Sequence, residues 1–333
     1  MSGPTAAVGG RARTGDALTT LARHHAWALG LLGFLVLLLL FTKVIQPRYG
    51  VAGIQGLAIS VLPLALAAAA QAIVVIGGGI DLSIASIMAL TSVVSASLMK
   101  GQSEEFGLIV VLSVILLGVL LGAINGALVV ITKVPDIVVT LAMSFVWAGC
   151  ALLVLKTPGG GSALWLKGLV IGSLGSEWIP KAAIVLVVAV GVVWIPIRRS
   201  TLGLSIYAVG SNQLAAFRSG VSVGRTKVLA YALMGLLAAL GGLSLTASTG
   251  IGTPVPGPYT LLSVAAIVLG GVSLAGGRGG LFGPIVAVVI VSLIRTDMTF
   301  LNVNTNLAVV AQGIILIGVV MFGSLIQMRR IRP

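Results

Sequence analysis

The sequence predicts an all-α polytopic membrane protein of about ten transmembrane helices, with both termini in the cytoplasm. Three observations carry that prediction. Hydrophobic residues make up 58% of the 333 and charged residues only 8%, more apolar surface than a soluble fold of this length can bury. Apolar runs long enough to cross ~30 Å of hydrocarbon as helix recur at about Trp27–Ile45, Val51–Ala69, Ile73–Met99, Phe106–Ile131, Ile137–Leu155, Ala182–Ile197, Val228–Ala247, Thr260–Leu274, Leu281–Ile294 and Leu307–Ile326. Finally, the basic residues sit at the ends of these runs and favour one side.

The side is set by the stretch from Arg198 to Lys227, which carries Arg198, Arg199, Arg218, Arg225 and Lys227 without an acidic residue. The positive-inside rule places it in the cytoplasm. Alternation then puts Arg11, Arg13, Arg23, Lys133, Arg278, Arg329, Arg330 and Arg332 inside with it. Lys43, Arg48, Lys100, Lys156, Lys167, Lys181 and Arg295 fall outside, so the bias has the expected sign. The net charge of +13 is thus accounted for at the membrane surface and does not indicate a nucleic-acid partner.

Along the chain, residues 1–25 read as a cytoplasmic N-terminal tail, 26–326 as the transmembrane domain and 327–333 as a basic cytoplasmic tail. The first apolar run has no small-x-small cleavage signal after it and reads as a retained span. The run Ile73–Met99 is longer than a bilayer needs and is interrupted by Gly77-Gly78-Gly79, followed by Asp81 and Ser83. Lipid cannot solvate a broken helix. The polar cluster therefore predicts a discontinuous or re-entrant segment near 76–86, with Asp81 or Ser83 placed to cap its second half. Asp81 is the one carboxylate deep in an apolar run, and three roles are open to it: helix cap, ligand for a polar solute, or proton-coupling carboxyl. Asn125 is a mid-span amide that serves either as interhelical glue or as a solute contact. Asp136 stands at a helix N-terminus, where the dipole favours an acid, and Cys150 reads as a packing residue.

Between the sixth and seventh runs, Gln213–Ser219 predicts a short amphipathic helix with Leu214, Phe217 and Val221 on one stripe and Gly220 as its C-terminal stop. Such a helix either lies on the membrane surface or docks into a partner's groove. From Ser248 to Ala287, two Gly/Pro-rich loops flank short apolar runs, a pattern that points to a permeation path.

Several chemistries are excluded. His24 and His25 are adjacent and are the only histidines, so no metal site or His-based triad can be assembled from them. The chain has no Gly-Lys dipeptide and hence no Walker A loop.

The segments IGGGIDLSIASIMAL (76–90), INGALVVITKVPDIVVTLAMSF (124–145), AVGSNQLAAFRSGVSV (208–223) and GTPVPGPYTLLSVAAIVLGGVSLAGGRGGLFG (252–283) resemble, in order, the membrane permease subunits of bacterial ABC sugar importers of the ribose, xylose, arabinose and galactose type. The resemblance implies a permease in the bacterial inner membrane that binds no cofactor itself. Partner ATPase subunits would hold ATP and Mg²⁺, a periplasmic or lipid-anchored protein would deliver sugar, and a second permease subunit, identical or not, would complete the pathway. Residues 198–227 match the family's coupling loop, which puts Gly210, Asn212, Ala215, Ala216, Phe217, Arg218 and Gly220 at the ATPase contact. The chain departs from the family pattern at Gln213, Leu214 and Phe217, at Ala85 where Gly is common, and at Asp136 where an apolar residue is usual. Polar groups at membrane depth can replace a sugar's lost hydration, which nominates Asp81, Ser83, Ser86, Asn125 and Thr140 as pathway residues, with Thr253 and Tyr259 near the outer loop. The competing expectation is a proton-coupled secondary transporter in which Asp81 titrates. An integral-membrane transferase is disfavoured for want of a carboxylate pair or histidine base in the loops.

Overall fold

The computed structural model describes residues 14–304 except 256, with scattered positions from 307 to 321, and for 14–26 the backbone alone. Within them the chain forms twelve helices and one small hairpin. Seven helices are long and apolar enough to cross a membrane: α1 (Thr14–Ile45, apolar from Trp27), α2 (Val51–Ile76), α4 (Phe106–Thr132), α5 (Asp136–Val154), α7 (Lys181–Arg198), α10 (Val223–Thr249) and α12 (Phe282–Phe300). The shorter apolar helices are α3 (Ile84–Met99), α8 (Thr201–Ser211) and α11 (Tyr259–Leu269). The remaining elements are α6 (Leu164–Val170), the antiparallel pair β1 (Ser173–Leu174) and β2 (Ser176–Pro180), and α9 (Gln213–Arg218).

Set against the ten expected crossings, the apolar run at Leu307–Ile326 and the tail 327–333 fall outside the described residues. Two other spans are corrected. The expected interruption between Ala69 and Ile73 does not exist, because α2 runs on without a break through Gln71 to Ile76. The glycine break therefore joins two helices and does not divide one, and α3 keeps only 16 residues. The run expected at Thr260–Leu274 is likewise reduced to the 11 residues of α11, since Gly270 and Gly271 end it, the latter at φ 82°.

α2 is the axis of the bundle. Its side chains from Val61 to Ile76 are all buried, and its small residues, Ala65 and Ala67 to Ala70, let neighbours approach closely. α10 packs on α4, α2 and α3. Its contact with α4 is made by the glycine ladder Gly118, Gly122 and Gly126: a Cβ on Gly122 would run into the Tyr231 carbonyl, and one on Gly118 into the Gly235 carbonyl. Side chains at these positions would separate the helices, so three glycines repeated at every fourth position set the crossing. By contrast α1 and α5 present most of their apolar side chains outward, as lipid-facing helices do.

Two of the shorter apolar helices, α3 and α11, share one arrangement. At the end of the bundle that carries the basic loop, the Ile76 carbonyl accepts from Gly277 N–H at 2.9 Å, and the chain then turns back inward through 77–83. α3 starts at that depth and runs to the opposite end, where the Ala96 carbonyl accepts from Gly161 N–H at 2.9 Å. α11 also starts inside the bundle but runs the other way, its last carbonyl, Leu269, accepting from the Trp27 indole at 3.0 Å. Their N-termini meet: Thr260 Oγ1 accepts from Ala85 N–H at 3.1 Å and donates to the Leu82 carbonyl at 3.4 Å. At ~1.5 Å rise per residue, neither helix alone spans the ~30 Å of a bilayer core.

Candidate functional site

The turn between α2 and α3 holds most of the polar residues nominated from the sequence. Asp81 is fully buried, and its Oδ1 accepts from both the backbone N–H of Ser83, at 2.5 Å, and its hydroxyl, at 2.6 Å. A carboxylate bonded two residues ahead forms a local turn, which starts α3 at Ile84 immediately after the glycines. Asn125 of α4 donates from Nδ2 to Ser83 Oγ at 2.7 Å and to Asp81 Oδ2 at 3.5 Å, while its Oδ1 accepts from the Trp147 indole of α5 at 3.1 Å. One amide thereby ties three elements together.

Thr140 closes the other side of the turn. Its hydroxyl accepts from Leu82 N–H at 3.1 Å and lies 3.2 Å from the Ile80 carbonyl and 2.9 Å from that of Asp136. The Ser86 hydroxyl donates to the Ser83 carbonyl at 2.7 Å. Asp81, Ser83, Ser86, Asn125 and Thr140 thus form one network enclosed within the chain. In it Asp81 closes a local turn ahead of α3, whose N-cap, Ser83, makes no side-chain capping bond, and Asn125 bridges this turn to α5.

Thr253 and Tyr259 do not join this network. Thr253 donates its backbone N–H to Ser92 Oγ at 3.4 Å, in a hydroxyl cluster of Ser92, Ser95 and Thr246 that fastens α3 to α10 toward the opposite end. Tyr259 opens α11 with a half-buried ring, and it is its neighbour Thr260 that reaches the turn.

Thr260 and Trp147 are participants that sequence reasoning missed. Trp147 was legible in principle, since Thr140, Trp147 and Ala151 are the buried residues of α5 and recur at helical spacing. Thr260 carried no such signal, because its contact depends on two segments far apart in the chain.

A second group lies beside Gly79. Asp136 pairs with Lys227 at 3.4 Å and accepts from the Tyr231 hydroxyl at 3.1 Å. A Cβ on Gly79 would meet both Asp136 Oδ2 and the Tyr231 hydroxyl. Asp136 therefore does more than complement the dipole of α5: it joins α5 to α10 across the start of the turn.

The basic loop folds as two helices, each capped by its own sequence. Ser200 Oγ accepts from Gly203 N–H at 3.3 Å to start α8, and Asn212 Oδ1 accepts from Ala215 N–H at 2.9 Å to start α9. α9 ends where Val221 N–H bonds the Ala216 carbonyl and Gly220 N–H the Phe217 carbonyl, each at 3.0 Å. This is a Schellman motif with Gly220 at φ 84°. Ala216 is the buried residue of α9, whereas Leu214 is 59% and Phe217 67% exposed; Ala215 and Arg218 are also exposed. Gly210, at the end of α8, lies against the Ile76 carbonyl and the Gly277 N–H so closely that no Cβ fits, and a Cβ on Gly78 would in turn meet the Gly210 Cα. The base of the loop thus rests directly on the turn that carries Asp81.

Among the described residues no group of three His, Cys, Asp or Glu side chains could hold a metal ion.

Comparison with known proteins places this architecture. The family described as "Branched-chain amino acid transport system / permease component" matches residues 53–320. The ribose import permease protein RbsC of Bacillus subtilis (strain 168) is 33% identical over 262 residues, covering 73% of this chain and 76% of the relative. The fructose import permease protein FrcC of Rhizobium meliloti is 32% identical over 262 residues, covering 75% and 71%. The autoinducer 2 import system permease protein LsrD of Escherichia coli O9:H4 is 27% identical over 321 residues, covering 92% and 94%. No solved structure matches the chain. The matched residues run from α2 through α12 and include both the turn around Asp81 and the loop of α8 and α9, so the chain is a multi-pass membrane permease that belongs to the branched-chain amino acid transport system permease family.

Proposed function

We propose that this chain is the membrane-spanning subunit of a bacterial ABC importer and moves a monosaccharide or related polyol across the inner membrane into the cytoplasm by alternating access. Its relatives include permeases named for ribose import, D-allose transport and fructose import. The chain itself binds no cofactor in this reading. ATP and Mg²⁺ are held by separate ATPase subunits, solute arrives on a periplasmic or lipid-anchored binding protein, and a second permease subunit completes the pathway.

The observation that carries the proposal is the loop of α8 and α9. Leu214 and Phe217 form an apolar pair turned away from the rest of the chain, on a helix whose ends are both fixed by capping. A short, rigid helix with an uncovered apolar pair suits a groove in a partner. A push on α9 reaches Gly210 through α8 and from there the Gly78 backbone, with no flexible side chain between them to absorb it. The turn at 77–83 and the N-termini of α3 and α11 are then the elements displaced. Asp81, Ser83, Ser86, Asn125 and Thr140 would line the route once this network opens, with Thr253 and Tyr259 toward its outer mouth.

The test is reconstitution with the cognate ATPase and binding protein, followed by uptake of ¹⁴C-labelled ribose, fructose and allose. The expected result is uptake that needs ATP and is abolished together with ATPase co-purification by Phe217→Glu. Uptake by this chain alone, driven by a pH gradient without ATP, would instead establish the proton-coupled reading, for which the buried Asp81 carboxylate is the one supporting observation.

A further inference from the structure

Among the described residues, two buried side chains keep polar atoms without a hydrogen bond: Asp297 and Gln71. Asp297 lies within a turn of the end of α12 at Phe300, near the rim of the bundle. Gln71 lies in its interior. It is 0% exposed, belongs to the most enclosed of the long helices, and leaves both its Oε1 and its Nε2 unpaired. A buried carboxamide with neither donor nor acceptor used is costly and rare enough to need an explanation.

The direction of Gln71 follows from the helix. It stands three residues before Val74 and shares that face of α2. Val74 Cγ1 lies 3.1 Å from where a Cβ on Gly79 would stand, so this face looks onto the segment that climbs from Gly79 toward Ser83. Five residues before Ile76, Gln71 sits about 7 Å further into the bundle at ~1.5 Å rise per residue. That brings it toward the level at which α3 and α11 meet through Thr260. α3 offers its Ala85 N–H to this joint, and helix N-termini favour electron-rich oxygen.

We infer that Gln71 is a solute-contacting residue, whose carboxamide engages two neighbouring hydroxyls of the carried sugar or polyol as the joint between α3 and α11 opens. The inference rests on the importer reading above and adds to it the residue that reads the solute. A carboxamide suits this task because its oxygen accepts from one hydroxyl while its NH₂ donates to the next. Asp81 and Asn125 are tied up in holding the turn, whereas Gln71 has its full bonding capacity free. Without solute the amide remains unpaired, so solute entry satisfies a group that the protein alone does not.

The experiment uses the whole importer in proteoliposomes, with Gln71→Met as a near-isosteric apolar variant and Gln71→Asn as a shorter amide. Uptake of ¹⁴C-labelled ribose, fructose and allose is measured alongside the melting temperature of each complex. The binding protein is the same throughout, so any change in the ratio among the sugars belongs to the permease. Gln71→Met is expected to melt at or above the wild-type temperature, because removal of an unpaired buried amide relieves its cost. Its uptake is expected to fall about three- to ten-fold, as for loss of a net hydrogen bond or two, with an altered sugar ratio and partial recovery in Gln71→Asn. Gln71→Met that carries each sugar at wild-type rate overturns the inference while leaving the importer reading intact. So does a uniform loss for all sugars that tracks a lower melting temperature. A wild-type importer that takes up none of the three with ATP overturns both.

Discussion

The turn at 77–83 and the helix α9 are both short segments between longer helices, yet they are finished in opposite ways. The turn is complete within the chain: Asp81, Ser83, Asn125, Thr140 and Trp147 all find partners there. α9 is complete only at its ends, through Asn212 and Gly220, and leaves Leu214 and Phe217 uncovered. A polar network at membrane depth has to be closed because no water is present to finish it, whereas an apolar pair in a loop can wait for a partner. Gly210 is where the two meet, since the base of the uncovered element rests on the backbone of the closed one.

Substitutions that break this contrast should rank by how much closed structure they open. Gly210→Leu has the largest expected effect. The side chain would overlap the Ile76 carbonyl and the Gly277 N–H, and overpacking of this kind costs about 1–3 kcal/mol or more. We expect loss of the folded permease at ordinary growth temperature, read as absence of a monodisperse peak on size exclusion.

Asn125→Leu comes next. It keeps the volume but strands the Trp147 N–H and one partner of Ser83, and each buried orphan costs about 1–3 kcal/mol. The expected readout is a melting temperature several degrees lower; a variant as stable as wild type would show that the network is not what holds the turn.

Lys227→Met breaks the pair with Asp136, whose partners are 15% and 16% exposed. Partly solvated pairs are worth about 0–1 kcal/mol, so a small stability change is expected, and the Tyr231 hydroxyl remains to hold Asp136. Phe217→Glu should change fold stability least, within about 0.5 kcal/mol for an exposed position away from structural features, while abolishing association with the ATPase. Equal melting curves with lost co-purification would sharpen the contrast between the two regions, and retained association would remove the assignment of α9.

Legibility from sequence followed the same division. Asp81 and the glycines before it marked the break because a carboxylate in an apolar run is conspicuous, and Gly220 marked the end of α9 because a C-terminal stop is local chemistry, whereas the Asn212 cap emerged only from the structure. What escaped were the consequences of distant contacts. Gln71 belongs to an unbroken α2 because Ala70, Gln71 and Ala72 are good helix formers and the first breaker is Gly77, but its lack of a partner depends on what packs around it. Thr260 joins the turn only because α11 begins inside the bundle. Asp136 had a sufficient local role at a helix N-terminus, so nothing in the sequence announced Lys227 and Tyr231 as its partners.

The sequence alone determined the membrane class, the basic face, the place of the break and the capped helix in the loop, because hydropathy, charge and capping act over a few residues. Only the tertiary structure decided that α3 and α11 start back to back in the interior, that Gly210 bears on the turn, and that Gln71 is left without a partner. Those features depend on backbones brought within contact from positions more than a hundred residues apart, or on the failure of any such contact to form, and no local pattern encodes them.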